Sequence, residues 1–270
     1  MYNIPKILHL YWDRSPMSRL QVFTIETFRN LNPDWKINVY IPKQKYIGDQ
    51  EYVPEYTGID CFNLVTDMYL VNIIEFDLID YGIREDLHNI LRSDIFRYHI
   101  LYNQGGVWSD FDVIWLKPIS YIDNIGTMVV FSEDTKGWHN ISVMYSSPKH
   151  PFYENLINET IRLQNLQLEV YDHQAFGTEM LNVLYPDLES ITNNFLDVVG
   201  LKYSTFYPYG IFELDKLYDQ VDLTPLYSNN VMCIHWFNGH QLSKDYVNQN
   251  KFGDESSMTK ILQQLGYVNV

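Results

Sequence analysis

Hydrophobic positions change period several times along the chain, and the changes mark out its elements. Ile7 to Trp12 is a short, nearly continuous apolar run after Pro5, which predicts a buried strand. From Pro16 to Leu31, Leu20, Phe23, Thr27 and Leu31 return at intervals of three and four, the period of a helix face. Asn32-Pro33-Asp34 is turn chemistry. Lys36 to Ile41 then alternates, with Ile37, Val39 and Ile41 on one side, and predicts a second strand. A strand–helix–strand opening of this kind leads to a parallel sheet covered by helices. Ligands of such sheets gather beyond the carboxyl ends of the strands, here first at His9 to Asp13.

Residues 43–63 mix Gly48, Pro54 and Gly58 with polar groups and read as a loop region. Val65–Phe76 and Arg84–Gln104 read as helices broken near Tyr81-Gly82, the first as part of a lid or accessory lobe. In the second, Leu91, Ile95, Tyr98 and Tyr102 form an apolar stripe, and Gly105-Gly106 can take the left-handed backbone that stops a helix. Val107–Leu116 is β-branched and aromatic and predicts one continuous strand. Further on come a strand over Thr127–Phe131, an amphipathic helix over Phe152–Leu166, a late strand over Val231–Trp236 and a short helix over Ser256–Leu265. No repeat, low-complexity tract or linker interrupts this order, so residues 1–270 are expected to form a single domain.

Polar residues interrupt the pattern most conspicuously around the Gly-Gly step. Asp94 and Arg97, three apart, share a helix face. Asp110 and Asp112, two apart in the predicted strand, point to the same side. Two such carboxylates repel unless a proton or cation intervenes, and a hard divalent cation that also holds phosphates is the natural partner. A solvated strand edge is the plain alternative for an isolated Asp-x-Asp. The fixed spacing of Ser93-Asp94, Arg97, Gly105-Gly106 and Asp110-x-Asp112 argues against it.

Together these residues resemble the DXD-containing sugar transferases, a family that includes initiating mannosyltransferases and α-galactosyltransferases, and the catalytic core of the clostridial glucosylating toxins. Trp108 stands where the family has Tyr, two residues before the first Asp. The resemblance extends to His9 and Trp12, to Asn140 before an apolar strand closed by His150-Pro151-Phe152, and to His235-Trp236 near the end. At Gly177-Thr178 the family's small-residue step is matched only in part, leaving Glu179 beside it without a firm role. The resemblance implies an α/β fold, a mostly parallel sheet flanked by helices of the nucleotide-diphospho-sugar transferase (GT-A) type. It also implies transfer of a hexose from a nucleotide-diphosphate sugar, a UDP-sugar first and GDP-mannose next, to a glycan or other hydroxyl acceptor, with retention of configuration.

The same resemblance distributes the roles. Asp94 and Arg97 are expected to hydrogen-bond the donor sugar, and Asp110 to hold the ribose or sugar together with the metal. Asp112 is the firm metal ligand, and Trp108 and Asn140 face sugar or acceptor. Trp12 is expected to stack on the base, where its position and its chemistry agree. His235 is the candidate third ligand of Mn²⁺ or Mg²⁺, since neutral imidazole completes a carboxylate site, with His240 in the following loop as the alternative. His9, inside a strand, reads more simply as a core histidine, and Asn140 equally as a turn residue before a strand.

Composition narrows partners and compartment. A net charge of −15 argues against sequence-independent nucleic-acid binding and gives no attraction to an anionic membrane. The 22 Tyr and 14 Phe suit stacking on sugars or bases, and equally a dense core. Two cysteines, Cys61 and Cys233, make neither a disulfide framework nor a thiolate metal site; reduced thiols in the cytoplasm are expected. No signal-peptide pattern or apolar run of about 18 residues is present, so a bare catalytic domain without the family's Golgi anchor is expected. Two rival functions stand beside the transferase. Asp110-Phe111-Asp112-Val113 also resembles the Asp-x-Asp-x-Val start of haloacid-dehalogenase-type phosphatases, and a non-catalytic, transferase-like sugar-binding module is the other.

Overall fold

The computed structural model describes residues 4–47, 56–122, 127–131, 139–166, 172–228 and 230–268. Its strands are β1 (Ile7–Tyr11), β2 (Lys36–Pro42), β3 (Val71–Phe76), β4 (Gly106–Ser109), β5 (Val113–Trp115), β6 (Thr127–Phe131), β7 (His139–Ser146), β8 (Val198–Lys202) and β9 (Cys233–His235). The helices are α1 (Arg19–Leu31), α2 (Phe62–Thr66), α3 (Asn89–Gln104), α4 (Pro151–Asn165), α5 (Thr178–Leu184), α6 (Leu188–Thr192), α7 (Leu214–Tyr218), α8 (Gln241–Asn248) and α9 (Ser257–Gln264). Residues 48–55 of the expected loop and Gly137-Trp138 before β7 lie outside the described residues.

Seven strands form one sheet in the order β3-β2-β1-β4-β7-β6-β8. All run parallel except β7, which is antiparallel to both of its neighbours. This is the mostly parallel, helix-flanked α/β sheet expected from the opening βαβ unit. On one face, Leu8, Leu10, Ile37, Val39 and Val107 pack with Val22, Ile25 and Phe28 of α1. On the other, Trp108 and Met144 meet Ile95, Phe96 and Tyr98 of α3 and Phe152 and Leu156 of α4. A third cluster gathers Ile114 of β5, Ile234 of β9 and residues of α7, α8 and α9 around the outer side of α1.

Local chemistry sets the element ends. Ser18 and Gln21 close a reciprocal capping box on α1. His150 caps α4 through its Nδ1, and Pro151 takes the first helical position, so His150-Pro151-Phe152 is a helix start. Gly105-Gly106 earns its place twice. Both residues have positive φ, 64° and 94°. A Cβ on Gly105 would fall 2.7 Å from the Ser146 carbonyl, and one on Gly106 would fall 2.5 Å from the Ile7 carbonyl. The pair thus lets the chain leave α3 and enter the sheet between β1 and β7.

Two expectations are corrected. Val65–Phe76 is not a helix: a short α2 gives way to β3, which pairs in parallel with β2 from Ile37↔Val71 to Pro42↔Phe76. Val71-Asn72-Ile73-Ile74 is β-branched, and this sheet edge overrides the helical spacing. Val107–Leu116 is not one strand either. Pairing of β4 with β7 ends at Ser109↔Val143, the chain turns through Asp110-Phe111-Asp112, and β5 pairs with β9 in a separate two-stranded sheet. Shorter shifts trim the helix expected over Arg84–Gln104, whose first residues precede α3.

Candidate active site

The wall that carries the acidic motif begins on α3. Arg97 Nη2 lies 2.7 Å from Asp94 Oδ1, its Nη1 donates to the Ile141 carbonyl at 2.7 Å, and Nη1 is 3.3 Å from Asp110 Oδ1. Its guanidinium also covers the Trp108 ring, 4.9 Å from the centroid. One cation therefore serves two carboxylates. Burial pushes the Asp94 carboxyl up to about 7 against the pull of Arg97. Asp110 is also raised by withdrawal from water, again opposed by Arg97. Gly177 closes over Asp94, since a Cβ there would sit 2.8 Å from Asp94 Oδ2.

The turn after β4 supplies both motif carboxylates. They reach one place because the chain leaves the sheet, and not because they alternate along a strand. Asp110 is tied by its backbone N–H to the Ser142 carbonyl at 2.8 Å and accepts the Trp108 indole N–H at 2.9 Å. Phe111 packs edge-on against Trp12, centroids 5.0 Å apart, and its carbonyl accepts the Thr24 hydroxyl. Asp112 meets a second wall formed by β9 and the start of α8. Its carbonyl accepts the Trp236 N–H at 2.9 Å, and its Oδ2 accepts the Asn238 N–H at 3.0 Å. Burial works to raise the Asp112 carboxyl, but His235 and the Asn238 N–H outweigh it and hold it below the usual range.

His235 completes the cluster, with Nε2 3.0 Å from Asp112 Oδ1. Asp110, Asp112 and His235 each offer one ligand atom, and these atoms lie within 4.8 Å of one another. His235 Nδ1 is buried without a hydrogen-bond partner, and Asp112 Oδ1 has the His235 Nε2 beside it. Two carboxylates and an imidazole this close fit a divalent cation such as Mn²⁺ or Mg²⁺. His240 is not part of the cluster: its Nδ1 accepts the Leu242 N–H and caps α8.

A cavity of about 320 Å³ opens above this cluster, lined by Tyr11, Trp12 and Asp13 beyond β1 and by Asp110, Phe111 and Asp112 beyond β4. That is where a parallel sheet places its ligands. Arg97 and Lys244 are the cations in its wall. Lys244, on α8, makes no ion pair among the described residues. Asp13 is held by the Ser15 N–H and hydroxyl and by the Asn89 amide at 2.8 Å. Sequence reasoning missed Asp13, Asn238 and Lys244. Asp13 adjoins Trp12 and was within reach of the strand-end rule, whereas no spacing marks Lys244 and Asn238 acts through its backbone.

The remaining expected residues are dispersed. Trp12 lines the cavity, its indole N–H donating to the Ser15 carbonyl at 3.0 Å. Trp108 does not line it: the ring is fully buried beneath Arg97, so it supports Asp110 and has no surface for a sugar. Asp94 stands behind Arg97 at 3% exposure, outside the cavity wall. Asn140 lies on β7, two residues before Ser142, with its amide nitrogen buried and unpartnered. Glu179 is exposed in the first turn of α5. His9 is a core histidine: Nε2 is 2.8 Å from the Gly105 carbonyl, and burial lowers its pKa to about 4.

With this geometry in place, comparison with known proteins shows what the region resembles. Residues 18–132 match the family model of the glycosyltransferase sugar-binding region containing the DXD motif. The motif residues and the helix before them fall inside that match. A curated relative, inositol phosphoceramide mannosyltransferase 1 of Schizosaccharomyces pombe, is 24% identical over 179 residues, 65% of this chain and 46% of its own length. The chain therefore spans about half the length of that relative. Among solved structures, the PaToxG glycosyltransferase matches with a TM-score of 0.52 and 16% identity, over 72% of this chain and 73% of that one. The apo-form glycosyltransferase GlyE of Streptococcus pneumoniae TIGR4 matches with a TM-score of 0.49 and 12% identity, over 98% of this chain and 64% of that one. The resemblance to DXD-containing sugar transferases and the transferase-type sheet both hold. Among the described residues, no helix is long and apolar enough to cross a membrane.

Proposed function

We propose that this protein transfers a hexose from a nucleotide-diphosphate sugar to a hydroxyl acceptor, with a divalent cation held by Asp110, Asp112 and His235. The observation that carries the reading is the convergence of these three side chains, with Asp110 and Asp112 lining the cavity beside Arg97 beyond the carboxyl ends of β1 and β4 and His235 close behind Asp112. When bound there, Mn²⁺ or Mg²⁺ would supply Lewis-acid stabilisation for the departing diphosphate.

The chain's own residues divide the remaining work. Trp12 offers an aromatic surface to the base at the β1 end of the cavity. Lys244 is a cation free of other duties and would counter diphosphate charge from the α8 side. Arg97 would donate to hydroxyls of the donor sugar, held in place by Asp94 and the Ile141 carbonyl. Asp94 acts through Arg97 in this scheme and does not touch the donor. The carboxylates in the wall are Asp13, Asp110 and Asp112. Two belong to the cation cluster, and the third already accepts three hydrogen bonds, which leaves no evident base for inversion. Retention of configuration follows, with the diphosphate oxygen taking the acceptor proton. The donor is a UDP-hexose first and GDP-mannose next, the second supported by the mannosyltransferase relative. Cys61 and Cys233 are both free thiols, which supports a cytoplasmic setting.

The phosphatase alternative loses its footing, because its motif ends a first strand and here the acidic pair follows β4. A screen of UDP- and GDP-sugars with Mn²⁺, reading thermal shift and sugar release, tests the proposal. A nucleotide sugar that stabilises the protein and is hydrolysed only with the cation is the expected result. Binding without turnover on any acceptor would instead favour the sugar-binding module. NMR of the first-formed product tests retention, and a β-anomeric signal from an α-linked donor would overturn it.

A further inference from the structure

His235 is held in an unusual way for a candidate metal ligand. Such a histidine ordinarily donates its second ring N–H to a carboxylate or carbonyl, which fixes the ring. Here Nδ1 is buried with no hydrogen-bond partner. Rings surround the imidazole instead. Phe237 meets it edge-on, with centroids 4.2 Å apart and planes at 88°. Tyr207 lies 5.0 Å away and is itself stacked on Tyr203 at 4.7 Å.

Phe237 occupies a left-handed backbone, with φ of 51°, and is the only aromatic residue among the described ones to do so. For a bulky side chain that conformation is strained, and it persists only where the surroundings over-determine it. The turn it makes has two visible consequences. The next residue, Asn238, aims its N–H at Asp112 Oδ2 at 3.0 Å, and the Phe237 carbonyl accepts the His240 N–H at 2.9 Å. Glycine would make this turn without strain. What glycine lacks is the ring against His235.

We infer that Phe237 is a positioning residue for the cation site: its backbone turn orients Asp112 and its ring fixes the His235 imidazole in place of the missing Nδ1 hydrogen bond. The inference rests on the cation-site reading above. The two contributions are separable, since Phe237→Gly keeps the turn and removes the ring, Phe237→Leu keeps apolar bulk without the aromatic edge, and Phe237→Tyr keeps the ring.

The test is Mn²⁺ affinity of each purified variant, read from the EPR signal of free Mn²⁺, beside the thermal midpoint in EDTA. Phe237→Gly and Phe237→Leu should each raise the dissociation constant about tenfold, the lower end of what loss of an orienting partner costs, and Phe237→Tyr should stay within about twofold of the unchanged protein. A lowered midpoint with unchanged Mn²⁺ affinity in the Gly and Leu variants overturns the inference and makes the ring purely structural. If only one of those two folds, its affinity decides. Absence of Mn²⁺ binding by the unchanged protein overturns the cation-site reading itself, and this inference with it.

Discussion

The α3–β4 wall of the cavity holds its charges by burial and pairing, whereas the β9–α8 wall holds them through backbone turns and leaves one free. On the first, Asp94, Arg97 and Asp110 form a closed chain of ion pairs backed by Trp108. Removing Arg97 strands two carboxylates in a water-poor place. On the second, the Asn238 N–H and a strained Phe237 do the positioning, and Lys244 makes no ion pair among the described residues. The first wall is therefore part of the fold's stability, and the second can be altered with little effect on the fold. Asp112 is where they meet, and it gives the sharpest test.

Asp112→Asn should abolish cation-dependent transfer, since several kcal/mol of transition-state stabilisation depend on the ion it would hold. The thermal midpoint in EDTA should fall modestly and the fold should survive, because the folded surroundings favour the ionised Asp112 and the change removes its pairing with His235. Sugar-release assays with and without Mn²⁺, paired with a melting curve, check both halves. Normal turnover in the variant, or full activity of the unchanged protein in EDTA, would end the cation-site reading.

Arg97 and Lys244 test the contrast between the walls directly. Arg97→Ala should lower unfolding stability by about 3–5 kcal/mol, the cost of leaving buried carboxylates without their cation. Lys244→Ala should leave stability within about 0.5 kcal/mol, as an unpaired cation at a cavity wall contributes little to the fold. It should weaken binding of nucleotide diphosphate more than that of free nucleoside. Urea titration and calorimetry read the two quantities. Equal losses of stability in both variants would erase the distinction between the walls.

The same contrast accounts for what the sequence made legible. Asp94, Arg97, Gly105, Gly106, Asp110 and Asp112 lie within twenty residues, at spacings imposed by one helix, one helix stop and one turn. A reader of spacing finds them together. His235 was reachable because imidazole is the expected complement of two carboxylates. Lys244 was not, because its role follows from an α8 orientation that no local pattern encodes. Asn238 contributes a backbone N–H, for which any residue but proline would serve. Trp108 was misassigned for a related reason: an aromatic near a sugar motif suggests a sugar contact, and only packing shows Arg97 lying over its ring. β3 was mistaken for helix because Val71–Phe76 sits at a sheet edge, where pairing with β2 outweighs the spacing of its apolar residues.

Trp12 belongs to neither wall: it is buried in the core and also lines the cavity, so its effects on stability and on binding must be read separately. Trp12→Ala should weaken nucleotide affinity by about 1–3 kcal/mol, the range for a lost base–aromatic stack. Its ring also packs on Phe111, so calorimetry should include the Asp112 cluster's response to Mn²⁺. An unchanged nucleotide affinity would place the base elsewhere in the cavity.

The smallest effect lies beneath the first wall, at His9, whose ring sits under Gly105. Burial lowers its pKa to about 4, against 6.5 in the unfolded chain. At pH 7 both states are neutral at this site and it contributes almost nothing. As pH falls below 6.5 the unfolded chain takes up a proton that the folded one refuses until about pH 4. Unfolding then consumes protons, and stability is lost as pH falls through that window. The loss attributable to His9 is about 1 kcal/mol between pH 7 and pH 5.5. Asp94 carries the opposite sign. Burial raises it to about 7, so its folded form protonates first and gains stability as pH falls. The overall pH curve mixes the two, and only a difference isolates either. Subtracting the stability of His9→Gln from that of the unchanged protein, measured by urea titration at pH 7 and 5.5, should reveal the His9 loss alone. A difference that does not change between those pH values would mean that His9 is as protonatable in the folded chain as in the unfolded one, and that the layer under the Gly105 stop is open to water.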